Sequence, residues 1–208
     1  MRQAIRLSPC ALVGVVVICL SAAVTARAQA AKPDAEGFIR DWLMLAPFPI
    51  AESSGADEID KKQVENEATL KPKAGDKQKV GDKEAAWKAV RAKDFSLDLN
   101  DAVGTPNEDV VGYLVTYVVA DKEMPDLTLL VGSNDEAKVY LNGKEVIKFD
   151  QTRTVEKDSD KSDKVTLNKG VNTVVFKVIN EKNDWGACLR FKDKDGKPVT
   201  NVKVQLMP

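Results

Sequence analysis

From residue 95 onwards the apolar positions recur with a period of two, which is the signature of strands with one buried face. Phe95, Leu97 and Leu99 alternate with Ser96, Asp98 and Asn100. In Val110–Ala120, Tyr113, Val115, Tyr117 and Val119 take one face, and Leu114, Thr116 and Val118 the other. Leu127, Leu129 and Val131 alternate next, followed by Ala137, Val139 and Leu141. Asn142-Gly143 then separates that run from Ile147 and Phe149, a pair of strands around a dipeptide suited to positive φ and so a hairpin. Val165 and Leu167, the run from Val171 to Ile179, the run from Trp185 to Phe191, and Val202, Val204 and Leu206 complete the series, with a second tight turn at Asp195-Gly196.

Upstream the pattern is weaker. Trp42 to Pro49 reads as a first strand ended by prolines, and residues 31–41 as a polar lead-in. Asp57 to Ala68 suits a short acidic helical turn or two. Lys71 to Glu84 reads as solvated loop with at most a short edge strand, and Ala85 to Val90 as strand. About nine or ten strands with frequent turn signals and no long helix predict an all-β sandwich or barrel. Both faces of 110–120 and 171–179 are apolar, as befits central strands of a sheet partly covered on its second side.

The first thirty residues fall outside this pattern. Arg2 and Arg6 precede an apolar run from Ala11 to Leu20, and Ala26-Arg27-Ala28 and Ala28-Gln29-Ala30 are A-x-A sites. This is the tripartite pattern of a secretory signal peptide, its apolar run too short to span a bilayer comfortably; the alternative is an uncleaved N-terminal anchor. Export to the periplasm or outside the cell is the expected localisation. Cleavage after Ala30 leaves 178 residues of formal charge −4, since the signal carries three arginines and no acid. Cys10 and Cys19 leave with it. Cys188 remains, alone and in a strand-like run, so no internal disulfide forms and Cys188 is expected to be a small buried apolar residue.

Composition narrows the chemistry. There is no histidine, which removes Ser-His and Cys-His pairs and imidazole-bound zinc. Near-neutral charge gives no basic footprint for nucleic acid. There is no G-x-S-x-G, P-loop or G-x-G-x-x-G motif.

Several stretches, in order, resemble galactose-binding-like jelly-roll β-sandwich domains, which accompany bacterial secreted glycoside hydrolases and occur in exported planctomycete-type proteins. Residues 131–144, VGSNDEAKVYLNGK, are similar to a GSDDGVKVWLNGK core. Residues 41–48, DWLMLAPF, resemble DWLVLGPF, residues 167–178, LNKGVNTVVFKV, resemble LKKGWNTLLLKV, and residues 185–191, WGACLRF, resemble WGFCLRF. The resemblance implies a jelly-roll sandwich over most of residues 38–208. It also implies that an acidic pair in the 134–136 loop can hold calcium and, through it, a sugar. Here Asn134 replaces the first acid and Glu136 the following glycine, so a calcium site at Asn134 and Asp135 is weakened or absent. Tyr140 stands where Trp is common, and Val171 replaces the Trp of KGWN.

Candidate ligand-binding residues follow. Asn134 and Asp135 could contact calcium or sugar hydroxyls, or bond their own backbone as a turn. Lys138, Tyr140 and Asn142 share one strand face; if Ala137, Val139 and Leu141 face the core, that stripe points outwards and offers an aromatic ring beside hydrogen-bonding groups. Trp185 is either a sugar platform or a plug at the end of the sandwich. The Asp158–Asp163 run fails the helix-loop-helix calcium pattern and reads as solvated loop.

The leading expectation is an exported, monomeric, non-catalytic carbohydrate-binding or accessory module, with calcium as its one candidate cofactor. The alternative is a structural or protein-interaction domain of the cell envelope, which requires Tyr140 and Trp185 both to be buried and no polar pocket at Asn134 and Asp135. A glycoside hydrolase would need two acids opposed across a cleft.

Overall fold

The two β-branched runs occupy the middle of the molecule. A computed structural model describes residues 30–80 and 83–208; the signal-peptide expectation lies almost wholly outside the described residues. The larger sheet has the strand order β4 (Lys88–Arg91), β1 (Asp41–Pro49), β6 (Val110–Ala120), β11 (Gly170–Asn180), β8 (Ala137–Leu141), β9 (Lys144–Phe149), and β13 (Lys203–Gln205) pairs with the far end of β6. The smaller has the order β10 (Asp160–Leu167), β7 (Met124–Asn134), β12 (Gly186–Lys192), β5 (Leu97–Asp98). Every pairing in both is antiparallel.

The sheets stack as a sandwich, as the alternation requires. Trp42, Met44, Leu114, Val118, Val139, Leu141, Val174 and Phe176 from the large sheet meet Leu129, Val131, Leu167, Leu189 and Phe191 from the small one in one buried cluster. The opposite face of the large sheet is apolar too: Leu43, Leu45, Val111, Tyr113, Val115, Tyr117, Tyr140, Val175 and Ile179 form a second buried cluster. What covers this face is the weakly patterned stretch between β1 and β4, read in the sequence as helical turns, loop and a strand. Ile59, Val64, Leu70, Val80 and Trp87 pack down on it from the chain between β1 and β4. That chain carries a one-turn helix α1 (Gly55–Glu58), a 3-10 turn at Glu67–Thr69, and a hairpin of β2 (Lys77–Val80) and β3 (Lys83–Ala86) where loop with at most a short edge strand is expected up to Glu84. Its large apolar residues are too sparse to show a period, yet Ile59, Val64, Leu70, Val80 and Trp87 all reach the sheet.

Turn chemistry largely matches the sequence. Asn142 and Gly143 both have positive φ, 53° and 85°, as a tight β8–β9 turn needs. The alternation at Phe95–Leu99 misleads. After the two-residue β5, Leu99 opens α2 (Leu99–Val103), because Asp98 accepts the Asp101 N–H as N-cap and Gly104 closes the helix at φ 96°. The polar lead-in is less polar in place than in sequence: Phe38 and Ile39 are buried. Asp158 and Asp160 are not solvated. Asp158 takes Arg190 and Lys192, Asp160 takes Arg153, and the side chains of all five residues are at most about a quarter exposed.

Cys188 is buried and its Sγ contacts the Glu156 carbonyl, 3.7 Å away. Burial pushes the thiol up to about 12, so at pH 8 it is a protonated, inaccessible group. With a chain of residues 31–208, Ellman's reagent at pH 8 is expected to leave the folded protein unlabelled and to titrate one thiol per chain in guanidinium. Rapid native labelling would contradict this packing.

Candidate functional site

The residues singled out in the sequence lie along the end of β7, along β8 and at the start of β12, where Gly186, next to Trp185, pairs with Asn134. Asn134 ends β7, and Asp135 and Glu136 link it to β8; the Asn134–Asp135 peptide is cis. Asp135 is buried and both its carboxylate oxygens are in use. Oδ1 accepts the Arg153 N–H at 3.0 Å and Oδ2 the Glu181 N–H at 2.9 Å, tying two later loops to the β7–β8 link. Burial raises its pKa despite those hydrogen bonds. Asn134 Oδ1 is buried without a partner among the described residues. As a calcium site the pair does not fit: Asn134 contributes no charge, both oxygens of Asp135 already accept backbone N–H groups, and among the described residues no three acidic or thiol groups converge as a metal would require.

Next to it sits Glu136, 1% exposed, with Oε2 unpartnered among the described residues. Burial, together with the charges of Glu181, Asp135 and Asp150, pushes its carboxyl up to about 7. Gly55 lies against this carboxyl so closely that a Cβ there would be 2.3 Å from Oε2, and the Gly55 N–H donates to Glu181 Oε1 at 3.0 Å.

Lys138 and Tyr140 do point away from the sandwich core, as their alternation implies, but not into solvent. Tyr140 is 7% exposed, and its hydroxyl donates to Glu67 Oε1 at 2.8 Å. Lys138 Nζ donates to Asp60. The side chain of Asn142 is held in a turn, its Nδ2 donating to Asn172 Oδ1 at 2.8 Å and its Oδ1 accepting the Thr173 N–H at 2.9 Å. The expected open stripe is therefore corrected: Lys138 and Tyr140 lie under the covering chain, because β8 is next to the strand on which that chain rests. Trp185 is corrected from platform to plug. It is 1% exposed and its ring lies over Gly112 of β6.

Two residues at the centre of this buried face escaped the sequence reading. Lys177, on β11, is wholly buried, and its Nζ donates to the carbonyls of Glu58 at 2.9 Å, Ile59 at 3.1 Å and Lys61 at 2.5 Å. Burial lowers its pKa to about 8. Glu67 accepts both the Tyr113 hydroxyl at 2.8 Å and the Tyr140 hydroxyl, and its Oε2 is 3.9 Å from Lys177 Nζ. Both tyrosines have raised pKa values, through burial first and then the carboxylate of Glu67. A lysine in phase with Val175 and Ile179 on an otherwise apolar strand was the available signal for Lys177; nothing local marks Glu67 among its charged neighbours.

No protein-family model matches the chain, and no curated protein matches it in sequence. Among solved structures it is similar to the PA14 domain of the antifreeze protein MpAFP, with 14% identity and a TM-score of 0.37 over 49% of this chain and 54% of that one. It is also similar to the GH31 alpha-xylosidase of Xanthomonas citri, with 12% identity and a TM-score of 0.30 over 57% of this chain and 14% of that one. The match thus spans about half of the first and a small part of the second, and at these values it carries no argument about function.

Proposed function

We propose that this chain is an exported, galactose-binding-domain-like β-sandwich that binds rather than reacts, and that its partner is a protein of the cell envelope rather than a free sugar. The observation that carries this is the placement of the aromatic rings. All of its Phe, Trp and Tyr residues are described, and none is exposed. Phe95 and Phe149 are the two left half-buried; Lys157 stands 5.0 Å from the first ring and the Arg153 guanidinium 3.6 Å above the second. A sugar ring held by stacking needs an open aromatic face. Five clefts among the described residues are lined by residues other than Asn134 and Asp135.

The test is a glycan array run once with calcium and once with chelator. The expected result is no specific binding in either condition. Calcium-dependent retention of a galactose- or glucose-type glycan, lost in Asp135→Ala with the fold intact, would overturn the reading.

A further inference from the structure

Residues 53–70 cross the outer face of the large sheet as a strap with little regular structure of its own. The face beneath is unlike an ordinary buried surface, which is apolar. It presents the hydroxyls of Tyr113 and Tyr140 and the ammonium groups of Lys138 and Lys177, and the side-chain partners of all four lie mainly on the strap. Glu67 takes both tyrosines, Asp60 takes Lys138, and the carbonyls of residues 58, 59 and 61 take Lys177. Asp60 also reaches Lys148 of β9 at 2.6 Å. An apolar set of the same size would hold a permanent cover at least as well, since a buried ion pair rarely repays its desolvation. The strap's last turn is anchored through Glu67 and Leu70 but is flanked by open space. A cleft of about 320 Å³ lined by Leu70, Pro72 and Trp87 and one of about 300 Å³ lined by Ala68, Thr69 and Val171 adjoin it.

We propose that the strap is an intramolecular pseudo-ligand, and that the face carrying Tyr113, Lys138, Tyr140 and Lys177 is a docking surface for an acidic protein segment that displaces it. The occupant follows from complementarity: the segment already seated there is itself a short acidic peptide, carrying Asp57, Glu58, Asp60, Glu65 and Glu67 within eleven residues. Two of these carboxylates make the contacts with the face, Asp60 with Lys138 and Lys148 and Glu67 with the hydroxyls of Tyr113 and Tyr140, while Glu58 pairs with Lys61 of the strap itself; a competing segment with two such carboxylates would make the same contacts. This rests on the protein-partner reading above, but it can fail alone, because a partner could bind elsewhere on the domain.

Hydrogen exchange on the mature chain tests it. The strap amides are expected to exchange at least ten-fold faster than those of β6 and β11, through an opening that leaves both sheets closed. Asp60→Asn/Glu67→Gln, which strips the strap and leaves the face intact, is expected to speed strap exchange a further ten-fold with β6 and β11 unchanged. A synthetic peptide of residues 53–70 is then expected to bind this variant by calorimetry, and the same peptide with both acids neutralised is not. Strap exchange as slow as that of the sheets in the wild-type protein overturns the proposal without any variant. So does a folded variant that binds both peptides equally, or neither.

Discussion

Replacing Trp185 by alanine is expected to destabilise the fold by about 3–5 kcal/mol, the usual range for emptying a large aromatic site. For a domain of this length that is a fall in melting temperature of roughly 10 °C. The ring is 1% exposed and lies where β6 has Gly112; a Cβ at 112 would stand 2.8 Å from its Cζ2. The indole therefore fills a slot that a side chain on β6 would close. The backbone at Trp185 also starts the neighbouring helix, its carbonyl accepting the Leu99 N–H at 2.8 Å. A surface sugar platform would behave in the opposite way, losing ligand with little change in stability. Trp185→Phe should recover part of the loss, because most of the apolar contact survives, and Trp185 Nε1 has no hydrogen-bond partner among the described residues to forfeit. A melting temperature unchanged in Trp185→Ala would show that the ring is not a plug.

The same residue shows how far the sequence could be read. The alternation in Val110–Ala120 and Val171–Ile179 yields strands of the correct extent and correct faces, because central strands are held by local pattern and by burial on both sides. The Asn142-Gly143 turn is legible because its backbone geometry is affordable to few residue types. What alternation does not reveal is which object lies over a face. Lys138 and Tyr140 are correctly placed away from the core, yet the chain from 53 to 70 covers them. That chain is recognised only by widely spaced partners: Asp60 with Lys138, Glu67 with Tyr140, and the carbonyls around Glu58 with Lys177, each about seventy or more residues apart. Polar contacts of that range leave no periodic trace. Phe95–Leu99 failed for a different reason: a helix cap at Asp98 outweighed three alternating residues.

Glu136→Gln is expected to leave stability unchanged near pH 4.5 and to raise it by about 2–3 kcal/mol at pH 8. Burial lifts this carboxyl from its ordinary 4.5 to about 7. Between those values the folded chain keeps a proton that the unfolded chain has released, so the stabilisation is complete below about 4.5 and is lost as the pH rises through about 7. Above that, the wild-type protein holds a buried carboxylate with one oxygen unpartnered among the described residues and with Asp135, Asp150 and Glu181 repelling it. Glutamine keeps the shape and never ionises. The raised Asp135 carboxyl adds a slope of the same sign in both proteins and cancels in the comparison. Lys177 acts in the other direction: its pKa is lowered to about 8, so stability recovers as the pH rises from there towards its ordinary 10.5. The wild-type protein should accordingly be least stable near pH 7–8, within the interval between the values of about 7 and about 8. In Glu136→Gln the acid limb of that dip flattens while the alkaline limb stays. Urea unfolding at pH 4.5, 6, 7.5 and 9 reads both limbs. A difference between variant and wild type that does not grow with pH would mean that Glu136 is ionised in the folded protein throughout, and that Gly55 rests against a carboxylate compensated by some other group.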